Sequence, residues 1–345
     1  MDKICFIGGI NAGNPPRGGA EAKNQILLKE LKRRYGSEEI VNYDVSINRE
    51  NPILAFLGIL RVILLHNRLV FSVPSTALIK IAFLNFLLKR KKITIFVIGG
   101  DIHEMLYNKR LMTLLKMACV VYGETQKMVN YILTENKSIK AKYLPNFKYL
   151  PEGFLFPNRN IGSELKLLYL SRINHDKGIF RCFEIMERLK EKDPNTNYIL
   201  DIYGVFDLTK KERLFFDQYL ELHSNIRYKG IINLNDEKGY IHLAQYYLML
   251  FLTNHPGEGF PGALIDSIIA HVPVIASDWK YNAEILCDEV GFLGELIKID
   301  HMMIDNSVKS IIYFRRSAKL YENIQIRMKE KVKEFDIKNI EFNLC

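Results

Sequence analysis

Apolar residues in this chain come mostly in short, nearly continuous runs separated by amphipathic stretches. Residues 3–10, 40–43, 69–73, 93–98, 120–123 and 141–144 are runs of this kind, broken only by Lys3, Asn42, Ser72, Thr94 and Lys142. Continuous apolar runs of four to eight residues suit strands buried on both faces, as in a parallel sheet. Between them, positions such as Ala22, Ile26, Leu27 and Leu31 fall on one face of a helix. The alternation predicts a βαβ domain.

The pattern breaks at Pro145-Asn146-Phe147 and through the Pro-, Gly- and Asn-rich stretch 151–162, then resumes at Leu165. Strands are expected at 167–171, 198–203 and 226–228, with helices over 178–191, 209–222 and 236–244. The segment 251–277 follows: a buried strand, a loop Pro256-Gly-Glu-Gly-Phe-Pro-Gly262, a short helix carrying Asp266, and a strand at 274–277. The tail 305–333 reads as packing helices. The fold class expected is α/β, with two Rossmann-like domains that face each other, each on a parallel sheet, across an inter-domain cleft. The division is 1–150 for an acceptor domain, 151–164 for a linker, 165–320 for a donor domain, and 321–345 for a helical tail that returns to the first domain.

Composition narrows the class. The chain has 345 residues, 48% of them hydrophobic, enough for two cores. An excess of 48 Lys and Arg over 39 Asp and Glu gives a net charge of +9 and favours anionic partners. The basic residues show no aromatic interleaving or nucleic-acid module, so nucleic acid is not an expected partner. Five scattered cysteines without a Cys-x-x-Cys pair indicate neither a zinc site nor a disulfide framework, and they fit a reducing cytoplasm. The start of the chain runs into a strand without a signal-peptide pattern. The apolar region 52–88 is interrupted by Arg61, His66, Arg68 and Lys80, so no membrane-spanning helix is expected.

The chemistry-bearing residues stand at carboxyl ends of predicted strands, where open α/β sheets bind ligands. Gly18 and Gly19 precede a helix whose free amides suit a phosphate or a sugar hydroxyl. Asp101 and His103 follow the strand at 93–98. Arg172 and Lys177 flank a strand-to-helix turn, where a guanidinium fork and a point charge grip a diphosphate. Glu258 sits in the glycine loop, and Gly257, Gly259 and Gly262 allow close backbone approach.

These residues together resemble a GT-B glycosyltransferase of the large retaining family 4. The likeness rests on Gly18-Gly19, Arg172-Ile-x-x-x-Lys177-Gly178, Tyr203-Gly204, Lys229-Gly230, and Glu258-Gly-Phe-Pro261 with Asp266 eight positions after Glu258. The resemblance implies that Arg172 and Lys177 bind the donor diphosphate and that Glu258 contacts the donor sugar. It also implies that Gly204, Gly259, Phe260 and Pro261 line the donor site and that Asp266 meets the ribose, in place of the usual Glu. Many relatives have a His where this chain has Ile98, so Asp101 and His103 are acceptor-side candidates on position alone. The implied reaction is retaining, metal-independent transfer of a hexose from a UDP- or GDP-sugar to a glycan or lipid-linked acceptor, with no cofactor. Synthesis of bacterial surface polysaccharide is the expected setting. The expected location is cytoplasmic, with the basic, apolar first domain resting on an anionic membrane surface. A soluble acceptor, or a binding protein without catalysis, are the alternatives.

Overall fold

The computed structural model describes residues 3–14, 16, 18–47, 51–99, 102–150, 164–234 and 237–345. Asp101 and residues 151–163 of the expected linker 151–164 lie outside them. The chain divides into two units: residues 1–148, 256–261 and 335–345 form the first, and residues 149–255 and 262–334 form the second. Two stretches distant in sequence thus join the first unit.

In the first unit, β1 (Ile4–Gly8), β2 (Ile40–Asp44), β3 (Arg68–Pro74), β4 (Lys92–Ile98), β5 (Val120–Gly123) and β6 (Ala141–Tyr143) form one parallel sheet in the order β2-β1-β3-β4-β5-β6. The register pairs Ile4 with both Ile40 and Arg68. Every residue of β1 is buried, as its continuous apolar run requires. Burial pushes the Cys5 thiol up to about 12, so it packs as a small apolar group. Strand order reverses between β1 and β3, and Asn24 ties that point together. Its side chain donates to the carbonyls of Gly9 and Ser72, each at 3.0 Å, and accepts from Ser72 Oγ at 2.6 Å.

Residues 335–345 lie along this unit. Lys148 donates its amide to Phe335 O at 2.9 Å, and Ile337 donates back to Lys148 O at 3.0 Å. Arg34, held by buried Glu30, donates to Ile337 O and Ile340 O. Phe342 packs edge-on against Phe96 and Tyr122. Cys345 forms a disulfide with Cys119, 226 positions earlier. This corrects the expectation of unpaired cysteines: scattered spacing and an odd count say nothing about residues that the fold brings together.

The helix Pro52–Leu65 is started by Asn51, whose side chain accepts from the Leu54 amide at 3.1 Å. Gly58 lets this helix approach the Tyr43 hydroxyl, which a β-carbon would overlap. Among its described residues only Ile63 is buried, although the sequence is almost wholly apolar.

The second unit repeats the pattern. Here β7 (Glu164–Leu170), β8 (Asn197–Tyr203), β9 (Ile226–Tyr228), β10 (Leu248–Phe251), β11 (Val274–Ser277) and β12 (Gly294–Ile297) form a parallel sheet in the order β12-β11-β10-β7-β8-β9. Helix Lys210–Leu222 starts with a complete capping box between Thr209 and Glu212. The tail forms two helices, Met303–Arg316 and Ala318–Lys331, both in this unit. The helix Gly262–Ile269 is followed by His271 in a left-handed conformation, φ 53°. Glycine is the usual residue at such a stop, and His271 bears the steric cost of a β-carbon there.

Candidate active site

In the second unit the strand order reverses between β7 and β10, so the loops after β7, β8 and β10 leave the sheet's carboxyl edge side by side. The loop after β7 is a tightly pinned turn. Ser171 donates to Tyr203 O at 3.2 Å, Ile173 to Val205 O at 2.8 Å, and the Lys177 amide to Asn174 Oδ1 at 2.8 Å. Asp176 O accepts the Asn254 amide at 2.8 Å, fixing the turn to the segment after β10. Gly178 closes the turn at φ 81°, and a β-carbon there would overlap the Leu252 carbonyl. Helix Ile179–Lys192 then begins.

On this turn Lys177 is buried, whereas the Arg172 side chain is 44% exposed. Arg172 reaches Asp207 Oδ2 at 3.3 Å, and Asn174 donates to the same oxygen at 3.0 Å. An exposed pair of this kind contributes little and exchanges readily for a charge-assisted, two-pronged bond to phosphate. Sequence reasoning missed Asp207, which lies just past Tyr203-Gly204 with no motif to mark it.

Gly204, at φ 154°, packs its Cα against the Ser171 carbonyl, which a β-carbon would overlap. Beneath it runs a polar chain. The Tyr203 hydroxyl lies 2.6 Å from His242 Nε2 and 3.0 Å from the Tyr246 hydroxyl. Tyr246 donates to Asp201 at 2.8 Å, and Arg227 grips the same carboxylate with two bonds. Burial, above all, raises the pKa of Tyr203 and Tyr246. Asp266, on helix Gly262–Ile269, is buried and accepts from the Tyr240 hydroxyl at 2.8 Å. Burial and then the Asp266 charge raise the Tyr240 pKa well above its usual value, so that phenol remains a donor. Tyr240 carried no signal in the sequence beyond an apolar helical position.

The loop 256–261 belongs to the first unit. Glu258 and Phe260 are buried in it. Asn146 donates its side-chain amide to Phe260 O at 3.0 Å, and the Phe260 ring meets Phe335 edge-on. Gly259 lies against Gly99 at the end of β4, where a β-carbon would stand 2.8 Å from Gly99 Cα. His103, on the short helix Ile102–Met105, is exposed, with its ring centre 4.2 Å from that of Tyr131.

Gly18 and Gly19 open helix Gly19–Tyr35 at the first unit's own point of strand reversal. A β-carbon at either would meet nothing within 4 Å, so packing does not require glycine there. Asp44, at the end of β2, shapes the loop after β1 by accepting from the amides of Ile10 at 2.9 Å and Ala12 at 3.0 Å. Burial acts to raise its pKa, but these bonds and those from Ser46 outweigh burial and hold the carboxyl below its usual range. The fold therefore favours the ionised form. That stabilisation is complete above the unfolded pKa of about 3.9 and is lost as pH falls through the lowered folded value. Asp44→Asn is expected to cost about 1–3 kcal/mol near neutral pH and to lessen the acid-side loss. Urea unfolding of both proteins at about pH 7 and about pH 3 checks this.

The profile of the family described as "Glycosyl transferases group 1" matches residues 154–331, just over half of the chain. The chain belongs to this family. Among curated members, it is similar to the capsular polysaccharide biosynthesis glycosyltransferase CapH of Staphylococcus aureus, with 28% identity over 202 residues. That match covers 57% of the chain and 55% of CapH, so the chain spans little more than half of this relative. Among solved structures, this group 1 chain is similar to HepE of Anabaena in complex with UDP and glucose. The TM-score is 0.66 at 14% identity, covering 98% of each chain. It is also similar to a sucrose-phosphate synthase of Thermosynechococcus elongatus, with TM-score 0.71 at 13% identity and 97% and 95% coverage. These likenesses establish the GT-B fold with its two parallel sheets, as the sequence motifs imply.

Proposed function

We propose that this protein is a retaining, metal-independent glycosyltransferase that moves a hexose from a UDP- or GDP-sugar to a glycan or lipid-linked acceptor in surface polysaccharide synthesis. The observation that carries this reading is the pinned turn 171–178, which presents Arg172 and Lys177 at the strand reversal of the second unit. Two cations there offset the charge that develops on the departing nucleoside diphosphate, and they take the part a divalent ion plays elsewhere. Glu258 holds the donor sugar. The backbone of Gly259 and Phe260, together with Pro261 and Gly204, lines the donor, and Gly18 and Gly19 leave open backbone for it. Asp266, oriented by Tyr240, takes the ribose. Asp101 and His103 are assigned to the acceptor side by position. The departing phosphate accepts the acceptor's proton on the face it leaves, so no protein nucleophile is needed and catalysis rests on positioning and charge. The likeness to CapH and to the UDP-bound HepE supports a nucleotide-sugar donor and a polysaccharide product.

The test is release of UDP or GDP from a panel of nucleotide sugars, with and without EDTA. Release that EDTA leaves unchanged is the expected result. Silence across the panel would favour a sugar-nucleotide binder without catalysis.

The acceptor is assigned to a membrane because of helix Pro52–Leu65. No helix among the described residues is long and apolar enough to cross a membrane. This one nevertheless exposes Ile53 at 70%, Leu57 at 51% and Leu64 at 60%. Phe83 and Phe86, in the helical segment beside it, are 55% and 74% exposed. Exposed Arg61, Lys80, Lys89 and Arg90 belong to the same stretch of chain. An apolar face with basic neighbours suits shallow insertion into an anionic leaflet. Leu57→Asp/Leu64→Asp is expected to weaken flotation with anionic vesicles by about tenfold or more. Equal flotation of variant and wild type, or no flotation of either at low salt, removes the membrane from the proposal.

A further inference from the structure

The first unit buries an ion pair that has no part in the donor site as described. Lys23, on helix Gly19–Tyr35, places Nζ 2.7 Å from Glu124 Oε1, and the two side chains are 2% and 4% exposed. Taking two charges out of water is expensive, and apolar residues of similar volume often serve a fold as well or better. Stability is therefore a weak reason for the pair. Its second carboxylate oxygen indicates another role. Glu124 Oε2 accepts the Gly99 amide at 3.3 Å, directly after β4, and lies 3.0 Å from the point where a β-carbon on Gly259 would stand. The end of β4 and the loop 256–261 thus meet above one carboxylate, which Lys23 holds in place. Glu258 is the neighbour of Gly259 in that loop. Gly99 and Gly259 bring no side chain to the contact, so the carboxylate beneath can reach both backbones.

We propose that Lys23 and Glu124 are positioning residues for sugar transfer: Lys23 orients Glu124, and Glu124 fixes the Gly99 and Gly259 backbones, and with them the direction in which Glu258 is presented. This rests on the assignment of Glu258 to the donor sugar. Neither residue touches the donor. The pair acts through the loop, where a displacement of an ångström is enough to slow a positioned reaction.

Two full-length double variants separate this role from packing. Lys23→Met/Glu124→Leu removes both charges and the acceptor, whereas Lys23→Met/Glu124→Gln removes the charges and keeps an acceptor for Gly99. Both are expected to melt close to wild type. The Leu variant is expected to lose about tenfold or more in kcat, with little change in KM for the donor. It is also expected to exchange amide hydrogens faster at Gly99 and over 257–260. The Gln variant is expected to recover most of the rate and the protection. Wild-type exchange and turnover in the Leu variant, or equal impairment in both, overturns the proposal. If the Leu variant does not fold, Glu124→Gln alone is read by the same exchange experiment. Its amide oxygen is drawn to Lys23, so Gly99 should lose protection, and wild-type protection there overturns the proposal. If wild type releases no nucleotide, the catalytic reading fails, while the exchange measurements still decide whether the pair holds the loop.

Discussion

Lys177→Ala is expected to reduce sugar transfer about 10²- to 10³-fold, the usual effect of removing one preorganised group that stabilises developing charge. The backbone of the turn should survive the change. The turn is held by the Lys177 amide on Asn174, by Gly178 on His175 O and by Asn254 on Asp176 O, and none of these bonds uses the Lys177 side chain. Urea unfolding of the variant, measured beside the rates, separates any loss of stability from the loss of transfer. The loss should fall mainly on kcat, because the cation interacts more strongly with the diphosphate as it leaves than with the intact donor. Initial rates across donor concentrations provide the check. A rise in KM alone would mean that Lys177 only binds the donor, and an unchanged rate would remove it from the site.

Gly204→Ala is expected to destabilise the second unit by about 3–5 kcal/mol, from a strained backbone and a steric overlap acting together. At φ 154° this backbone lies where residues with side chains rarely go, and the new methyl would run into the Ser171 carbonyl. Relief is difficult on both sides. Ser171 begins the pinned turn, and Gly204 itself donates to Gly230 O at 2.8 Å while its carbonyl accepts from the Tyr228 hydroxyl at 3.1 Å. Any shift that admits the methyl must move Arg172 as well. Urea titration should show the midpoint falling with little change in slope. A loss below about 1 kcal/mol would mean the strand end is more compliant than its contacts imply.

Buried parallel strands were legible because both faces are buried, so their runs are apolar but for single residues such as Thr94 and Asp201: residues 93–98 and 198–203 reappear in β4 and β8. β12 was not, since this short edge strand begins at Gly294, φ 155°, and exposes Glu295. The turn 171–178 was legible because its functional residues are close neighbours in sequence and its geometry is local. Contacts made by distant residues gave no such signal. Lys23 and Glu124 are 101 positions apart, and Lys23 stands in a helix rich in charge, where a lysine reads as solvated. Tyr240 reads as a core aromatic until Asp266 is seen at its hydroxyl, and Asp44 reads as the polar end of a strand. His271 is a different case, a residue with a side chain that takes the positive φ of a helix stop usually given to glycine.

The strip 335–345 has a consequence for how the first unit is made. Its six strands lie within the first 143 residues, but Phe342 covers Phe96 and Tyr122, and Cys345 caps the start of β5 through Cys119. During synthesis that surface stays uncovered until the whole second unit has emerged. Domains usually complete themselves in the order they are made. Here the first to begin is the last to close, and for that interval its aromatic surface is available to whatever chaperone or neighbouring chain meets it.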